Sequence, residues 1–513
     1  MSVKFLKFLL LFLAIAIVGC AKRGAITGGL KDTIPPTLRT SLPPNFSTNF
    51  TGNTIRLTFD EYVKLKDINK QLIISPPMER PPVITPQTAS RTINIRIVDT
   101  LQPNTTYSLN FGQSIEDNNE GIPYPQFKYV FSTGSYIDSL SIAGRVKDAY
   151  MKNVDNFVSV MLYEVNEKYT DSIIYKSPPR YITNTLDSMT TFQLENLKAG
   201  KYLLVAMKDN NNNNRFDPKS DKIGFLRDFI TIPTDTLFEL ELFTEERPFR
   251  ALKPSQASGS RLVMGYEGKT NGITTTVKNG SEILPSVTTR LPGKDSLQIW
   301  FPPVKVDSLQ VDVTKGDYKS SFSVKMRAQR KDTLSFSPLH SGILPLREKF
   351  GVTASIPLAT VDKTKMRIQN KDSVAVDFTT AYDDYNQKLT LDFTREPLEK
   401  YNIRFLPGAM TDMFGKTNDT LNYSLTTKNT SDYGNLRMTL QNVRTFPVIV
   451  ELTNAKGEVM ASAHSLENVV NFDNLEPARY LLRIIYDTNN NKEWDSGNFL
   501  QKRHTEEVSY YTT

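Results

Sequence analysis

Apolar and polar residues alternate along much of this 513-residue chain, and this period of two constrains its fold more than any other sequence feature. Successive side chains of a β-strand point to opposite faces, so alternation is typical of strands with one buried face. Clear examples are Ile55, Leu57 and Phe59; Ile93, Ile95 and Ile97; Tyr107, Leu109 and Phe111; and Leu297, Ile299 and Phe301. Turn-forming residues between such runs indicate antiparallel sheets, and the length is too great for one core. The sequence therefore predicts an all-β chain of tandem β-sandwich domains.

The net charge, the three histidines and the single cysteine limit the classes of function that this chain can have. The net charge is +7, from 62 basic and 55 acidic residues, and no basic block with interleaved aromatic residues occurs, which argues against a nucleic-acid partner. The three histidines are isolated, and none lies in a metal-ligand spacing. The single cysteine, Cys20, cannot form an internal disulfide, so packing alone must hold the domains.

The first twenty residues have the pattern of a secretory signal. Lys4 and Lys7 precede or flank an apolar run that extends from Phe8 to Val18, which is too short for a comfortable bilayer span. The run ends in Ile17-Val18-Gly19-Cys20, which resembles a lipobox. The resemblance implies removal of residues 1–19, acylation of Cys20 and stable anchoring in a membrane. The alternative is a plain signal peptide, or a short anchor, with an incidental cysteine.

Residues 20–33 are expected to form a lipidated tether. Lys22 and Arg23 follow the cysteine, whereas surface-exported lipoproteins of Bacteroidetes often carry acidic residues there. The basic residues favour the periplasmic face of the outer membrane over the cell surface.

An ordered set of motifs follows the tether. The motifs are Pro35-Pro36, Leu42-Pro43-Pro44-Asn45, Leu57-Thr58-Phe59-Asp60-Glu61-Tyr62-Val63, Leu101-Gln102-Pro103-Asn104-Thr105-Thr106-Tyr107, Ile115-Glu116-Asp117 and Phe131-Ser132-Thr133-Gly134. Together they resemble the bacterial Ig-like domain of many Bacteroidetes lipoproteins and surface-layer proteins, over residues 34–135. The Pro-Asn turn is expected to lead into a core strand that carries Tyr107.

Part of this order recurs later in the chain. The segment Pro397-Leu398-Glu399-Lys400-Tyr401, then Thr411-Asp412, then Leu425-Thr426-Thr427 repeats the sequence of features. It predicts a second Ig-like domain over residues 340–430. Residues 246–339 hold further alternating runs and are assigned to a β-domain of unassigned family.

Two segments of the chain match each other closely. Residues 192–204 and 471–482 share Asn-Leu and Tyr-Leu-Leu at the same spacing, and each leads into an asparagine-rich loop. The first copy resembles prealbumin-like (transthyretin-like) β-sandwich modules, which implies such modules over residues 136–245 and 431–513. The second copy has Ala478 where the first has Gly200, and it lacks the Ile223-Gly224-Phe225 segment.

The asparagine-rich loops are the candidate site. Alternate side chains of a tight turn can place oxygens on one side, and calcium takes six to eight oxygens at about 2.3–2.6 Å. The candidate ligands are Asp209, Asn211, Asn213, Asp217 and Asp221 in the first loop, and Asp487, Asn489, Asn491 and Asp495, with Glu493 in reserve, in the second. The alternative is a turn closed by hydrogen bonds from side chain to backbone, without an ion.

No catalytic constellation emerges from the sequence. There is no GxSxG motif and no phosphate-binding glycine loop, and adjacent acids such as Asp60-Glu61 point to opposite faces of a strand. The sequence therefore predicts a non-enzymatic lipoprotein of the outer membrane that binds or scaffolds an envelope protein or glycan. A carbohydrate-binding component of a glycan-uptake system is the alternative, and exposed aromatic side chains at loop ends would favour it. An enzyme would require two converging carboxylates in a cleft.

Overall fold

A computed structural model describes residues 32–185 and 190–511. Cys20 and the signal-like segment lie outside the described residues, so their assignment stays a prediction. The described chain divides into two compact units. One comprises residues 32–141, 180–185 and 194–198, and the other comprises residues 142–179, 190–193 and 199–511.

The N-terminal strands form two sheets around one core. One sheet has the order β1-β2-β5-β4 with β7 also on β2, and the other has the order β3-β6-β8. The alternating residues Ile55, Leu57 and Phe59 all point into this core. The elements are β1 (Leu38–Leu42), β2 (Thr54–Leu65), the short helix α1 (Ile68–Gln71), β3 (Ile73–Ser75), β4 (Val83–Thr85), β5 (Ser90–Arg96), β6 (Thr106–Asn110), β7 (Ile115–Asp117) and β8 (Lys128–Ser132).

A tyrosine closes the turn that enters β6. The Tyr107 hydroxyl accepts a hydrogen bond from the backbone N–H of Gln102 at 2.8 Å. Thr133 ties the same turn to the end of β8, because its hydroxyl donates to the Gln102 carbonyl at 2.7 Å and accepts from the Thr105 N–H at 3.0 Å. This arrangement corresponds to the tyrosine corner of Ig-type sandwiches.

The first of the two matching segments lies in a sandwich built from the next eight strands. Strand β13 pairs with β10, β14 and β15, and β9 pairs in parallel with β16 from Ala143–Leu237 to Asp148–Leu242. The elements are β9 (Leu140–Asp148), β10 (Ser159–Glu164), α2 (Ile173–Lys176), β11 (Tyr181–Asn184), β12 (Thr191–Leu197), β13 (Gly200–Lys208), β14 (Lys222–Phe225), β15 (Ile230–Ile232) and β16 (Leu237–Leu242).

A further sandwich follows, with sheets of order β17-β19-β23-β22 and β21-β20-β24-β25 and with β18 also on β19. Its alternating residues Leu297, Ile299 and Phe301 are fully buried. The strands are β17 (Arg250–Ala251), β18 (Ser255–Ser258), β19 (Arg261–Glu267), β20 (Thr274–Asn279), β21 (Glu282–Leu284), β22 (Val287–Arg290), β23 (Ser296–Trp300), β24 (Ser308–Lys315) and β25 (Tyr318–Lys325).

The region predicted to be a second Ig-like domain, residues 340–430, contains another tyrosine corner. The Tyr401 hydroxyl accepts from the Glu396 N–H at 2.7 Å, and the Thr427 hydroxyl donates to the Glu396 carbonyl at 2.6 Å. The main sheets have the orders β26-β28-β32-β31 and β27-β35-β33-β30. The strands are β26 (Phe336–Pro338), β27 (Gly342–Ile343), β28 (Phe350–Ala354), β29 (Leu358–Val361), β30 (Met366–Gln369), β31 (Thr379–Asp383), β32 (Lys388–Asp392), β33 (Lys400–Phe405), β34 (Met410–Asp412) and β35 (Leu421–Thr426).

The second matching segment lies in the last sandwich. Its sheets have the orders β36-β39 and β38-β37-β40-β41. The strands are β36 (Gly434–Thr439), β37 (Val448–Thr453), β38 (Val459–Ser465), β39 (Val469–Leu475), β40 (Leu481–Tyr486) and β41 (Val508–Tyr510). The predicted all-β fold of tandem sandwiches is confirmed. Within residues 32–185 and 190–511, no helix has the length and apolar character needed to cross a bilayer.

Candidate functional site

The two asparagine-rich loops occupy the same place in their sandwiches. The first follows β13, which pairs with β14 so that Val205 lies opposite Phe225. The second follows β40, which pairs with β41 so that Arg483 lies opposite Tyr510. When these registers are aligned, Asp209 corresponds to Asp487, and the counterpart of Asp221 is Glu506.

Two carboxylates close the first loop. Asp209 accepts the N–H groups of Asn211 at 3.0 Å and Asn214 at 2.6 Å. Asp221 is buried and accepts the N–H groups of Asn210 at 3.0 Å and Asp217 at 2.8 Å. Each of these four carboxylate oxygens therefore satisfies a backbone donor of the loop.

The second loop is closed in the same way. Asp487 is fully buried and accepts the N–H groups of Asn491 at 3.0 Å and Lys492 at 2.9 Å. Glu506 accepts the N–H groups of Thr488 at 2.6 Å and Asp495 at 3.2 Å. These donors occupy the loop positions that face Asp221 in the first copy, so Asp221 and Glu506 have the same structural role.

The remaining candidate ligands also lie in the loops, where the asparagines are exposed and Asp217 and Asp495 are half-buried. The amide of Asn211 donates to the Ser220 hydroxyl at 2.8 Å, and the Asn213 carbonyl oxygen accepts the Arg215 N–H at 2.8 Å. Asp217 accepts the Lys219 N–H at 3.0 Å. In the second loop, both Asn489 and Asn491 donate their amides to Asp495, at 2.5 and 3.0 Å.

The electrostatic surroundings of the two loops differ. Burial raises the pKa of the Asp209 carboxyl, and the negative charge of Asp221 raises it further. In the second loop, the imidazole of His464 lies 3.1 Å from Asp487, a contact that the sequence did not indicate. The Lys269 ammonium, from the segment between β19 and β20, lies 3.0 Å from Glu493 and 3.8 Å from Asp495. Lys269 thus places a positive charge beside the acidic side chains of the second loop.

The calcium hypothesis depends on the amide and backbone oxygens of these loops. Among the residues that the structure describes, no three Asp, Glu, His or Cys side chains form a group suited to a metal ion. Asp209 and Asp221 would supply the charge in the first loop, and asparagine and main-chain oxygens would have to complete the coordination.

The second loop also takes part in a junction between sandwiches. The Trp494 ring packs against the Tyr150 ring, which follows β9, with the centroids 4.7 Å apart. Beside it, the buried guanidinium of Arg483 forms an ion pair with Glu451 at 2.7 Å and donates to the Tyr150 hydroxyl at 2.8 Å. Phe499 packs edge-to-face against Phe225 at 5.1 Å. The two matching sandwiches therefore share a buried interface that contains an ion pair.

The two tryptophans are not free at loop ends. Trp300 is fully buried and donates its indole N–H to the Thr289 hydroxyl at 3.1 Å. Trp494 is half-buried against Tyr150 and donates to the Glu506 carbonyl at 3.1 Å. Neither presents the exposed aromatic face that would favour sugar stacking.

Successive β-sandwiches, two of them with a tyrosine corner, define a tandem Ig-like fold for the described residues. The family model of the bacterial Ig-like domain matches residues 32–133, close to the predicted range of 34–135. Ig-like architecture is typical of binding and structural proteins. The search among curated proteins found no match to this chain.

Several solved structures are similar to this chain. Domains 1–6 of the surface layer protein SbsC match with 11% identity and a TM-score of 0.16, covering 94% of this chain and 67% of that one. An I-band fragment of titin matches with 10% identity and a TM-score of 0.14, covering 59% and 100%. Tandem Ig repeats of Dlar match with 13% identity and a TM-score of 0.13, covering 36% and 98%. With such low scores, the fold assignment rests on the sheets and cores of this chain.

Proposed function

We propose that this protein is a lipid-anchored scaffold of the cell envelope, on which β-sandwich modules bind other envelope molecules without transforming them. The observation that carries the proposal is the Arg483 junction, where a buried guanidinium, paired with Glu451 within its own sandwich, also donates to Tyr150 of a sandwich that is distant in sequence. The hydrogen bonds from Arg483 to Tyr150 and the ring contact between Trp494 and Tyr150 cross from one sandwich to the other, and they favour one defined arrangement of the two. A fixed arrangement of modules suits a scaffold.

The anchor is the second part of the proposal. Cys20 follows a charged segment and an apolar run of secretory type, and acylation there would tether residues 32 onward to a membrane through a short glycine-containing segment. The basic residues Lys22 and Arg23 favour the periplasmic face of the outer membrane. Two acyl chains or more suffice for stable anchoring.

Calcium binding is a subsidiary proposal that concerns the first loop above all. Asp209 and Asp221 lie close enough for their charges to interact, and no lysine or arginine among the described residues forms an ion pair with either. A divalent cation would relieve their repulsion and stiffen the loop. In the second loop, the Lys269 ammonium already provides positive charge, so we expect weaker binding there.

Affinity capture from membranes tests the function. The tagged protein and its Cys20→Ser variant are cross-linked in cells, and captured proteins and glycans are analysed by mass spectrometry. A scaffold predicts defined envelope proteins that are lost in the variant. Enriched oligosaccharide with no defined protein would support the glycan-uptake alternative and contradict the scaffold.

A further inference from the structure

A small cavity lies on the outer face of the sheet β26-β28-β32-β31. Its volume is about 460 Å³, a size typical of small-molecule sites. Side chains alternate along the paired strands β28 and β32, so Phe350 and Leu391 point into the core, whereas Gly351 and Thr390 face outward. The lining consists of Leu339, His340, Glu348, Lys349, Lys388 and Thr390.

The uncharged part of the lining offers an apolar surface and a hydroxyl. Leu339 lies close against the sheet because Gly351 beneath it has no side chain, and a Cβ atom there would come within 2.7 Å of the Leu339 Cδ1 atom. Leu339 nevertheless remains 39% exposed. The Thr390 hydroxyl donates to the Ala381 carbonyl at 3.2 Å, so its oxygen is left to accept a hydrogen bond.

The two lysines at the cavity differ in their pairing. The Lys349 ammonium lies 2.7 Å from the carboxylate of Asp392, and both side chains are exposed. No acidic side chain in the described part of the chain forms an ion pair with Lys388. Asp383, which lies opposite Lys388 in β31, accepts two hydrogen bonds from Asn386 instead, at 3.0 and 2.8 Å. An anion in the cavity would therefore pair with Lys388 without displacing an existing ion pair.

The imidazole of His340 lacks one partner. Its Nε2 lies 2.7 Å from the Glu348 carboxylate, and an ionised carboxylate only accepts hydrogen bonds, so Nε2 carries the proton of this contact. Nδ1 is buried and has no hydrogen-bond partner among the described residues. In the neutral ring Nδ1 is an acceptor, and a buried acceptor without a donor is unfavourable. The group that this side of the cavity lacks is therefore a donor such as a hydroxyl.

We propose that this cavity binds an anionic sugar residue of an envelope glycan. The carboxylate or phosphate group of the sugar lies beside Lys388 and Lys349, a sugar hydroxyl donates to His340, and Leu339 covers part of the ring. The inference deepens the binding role proposed above and rests on it, because it names one class of envelope molecule that the protein holds. Charge and hydroxyl contacts replace the aromatic stacking that the two buried or half-buried tryptophans do not offer.

The position of the cavity favours a sugar over an extended peptide. A peptide that adds to a sheet needs an edge with free main-chain groups. Strand β28 pairs with both β26 and β32, and β32 pairs with both β28 and β31, so the main-chain groups beneath the cavity are used within the sheet. Recognition therefore depends on side chains, and a compact ring with one charge and several hydroxyls matches this lining.

Histidine ring signals in an NMR spectrum provide a local readout, because the chain has only three histidines. The full chain carrying Cys20→Ser, with isotope-labelled histidine, is titrated with glucuronic acid, glucose-6-phosphate and neutral glucose, and His340→Gln assigns the signal. We expect at least one acidic sugar to shift the His340 signal saturably at millimolar concentration, while the signals of His464 and His504 do not move. The acidic sugar that binds more tightly identifies the anionic group. Glucose should bind about tenfold more weakly or less well still.

Three substitutions test the location. Lys388→Gln removes the unpaired ammonium and should weaken binding of the acidic sugar by about tenfold or more. Glu348→Gln removes a negative charge from the lining and should strengthen binding by about two- to threefold at low salt and less at high salt. Lys400→Gln is the matched control, because this exposed lysine lies in β33 of the other main sheet, and it should bind like the parent protein.

Several results would overturn the proposal. They are the absence of a His340 shift with both acidic sugars, equal binding of glucose, and equal affinity of the Lys388→Gln and parent proteins. Inorganic phosphate or triglutamate that binds as tightly as the acidic sugar would assign the cavity to a free ion or an acidic peptide, which also contradicts it. The assay uses purified protein in solution, so its failure would leave the anchored scaffold, which is tested by capture from membranes, intact.

Discussion

The guanidinium carbon of Arg483 lies 3.8 Å from the centre of the Tyr150 ring, although 333 residues separate the two in the chain. The same guanidinium forms the buried ion pair with Glu451 and lies near Tyr510, whose hydroxyl donates to the Tyr150 carbonyl at 2.8 Å. One side chain therefore joins the sheet of the last sandwich to the loop after β9.

Arg483→Met should disrupt this junction. The substitution leaves Glu451 buried without a counter-charge, so we expect a loss of about 3–5 kcal/mol in the free energy of unfolding, measured by denaturant titration. Glu451→Gln in the same chain should restore part of the loss. Arg444→Met, which removes the exposed pair with Glu507, is the control and should cost at most about 1 kcal/mol. Equal effects of the two arginine variants would contradict a stabilising junction.

The tyrosine corners should contribute equally in both Ig-type regions. Tyr107→Phe and Tyr401→Phe each leave one backbone N–H, of Gln102 or Glu396, without its acceptor, and each should cost about 1–2 kcal/mol. Native-state hydrogen exchange of the core amides measures the local free energy. Tyr136→Phe, at an exposed tyrosine, should have no effect. An effect at only one corner would show that the two regions are not built alike.

Glu245 should make stability depend on pH. Burial raises the pKa of this carboxyl, which accepts the N–H of Phe499. The folded protein therefore holds the proton more tightly than the unfolded chain does. The free energy of unfolding consequently falls as pH rises from the pKa of Glu245 in the unfolded chain to its pKa in the folded protein. Glu245→Gln should raise the melting temperature at pH ~7.5 by a few degrees and leave it unchanged at pH ~4.

The neighbouring Glu246 provides the control for that experiment. It is exposed and lies 3.6 Å from Lys269, so Glu246→Gln should give no gain at either pH. A gain from Glu245→Gln that is the same at both pH values would show that burial of the charge is not its cause.

Calcium should stabilise the parent protein through the first loop. Millimolar calcium is expected to raise the melting temperature in a scanning calorimeter, because it would neutralise Asp209 and Asp221 together. Asp221→Asn should remove the shift, and Asp235→Asn, at an exposed acid outside the loop, should retain it. If the melting temperature does not respond to calcium, the loops act as turns closed by their own hydrogen bonds.

Sequence alone predicted the fold because strands with one buried face have a regular alternation of apolar and polar residues. Ile93 and Ile95 alternate with polar residues in β5, and both are buried. The matching loops were predictable because Asp209 and Asp487 follow identical Tyr-Leu-Leu segments at the same spacing. Local patterns of this kind survive without knowledge of tertiary contacts.

Other features of the structure are not indicated by any local sequence pattern. Glu506 was missed because the segment between it and Asp487 is longer than the one between Asp209 and Asp221, and only the pairing of β41 aligns them. The Arg483–Tyr150 contact joins residues from opposite ends of the unit, beyond the reach of any sequence window.

The central claim is that a lipid on Cys20 anchors these modules to a membrane. The direct measurement is mass spectrometry of the N-terminal peptide of the mature protein, combined with fractionation of the Cys20→Ser variant. We predict a mature chain that begins at Cys20 with diacylglycerol and fatty acid attached, and a variant that leaves the membrane fraction. A mature protein with a free thiol at residue 20, or a variant that stays in the membrane, would contradict the account.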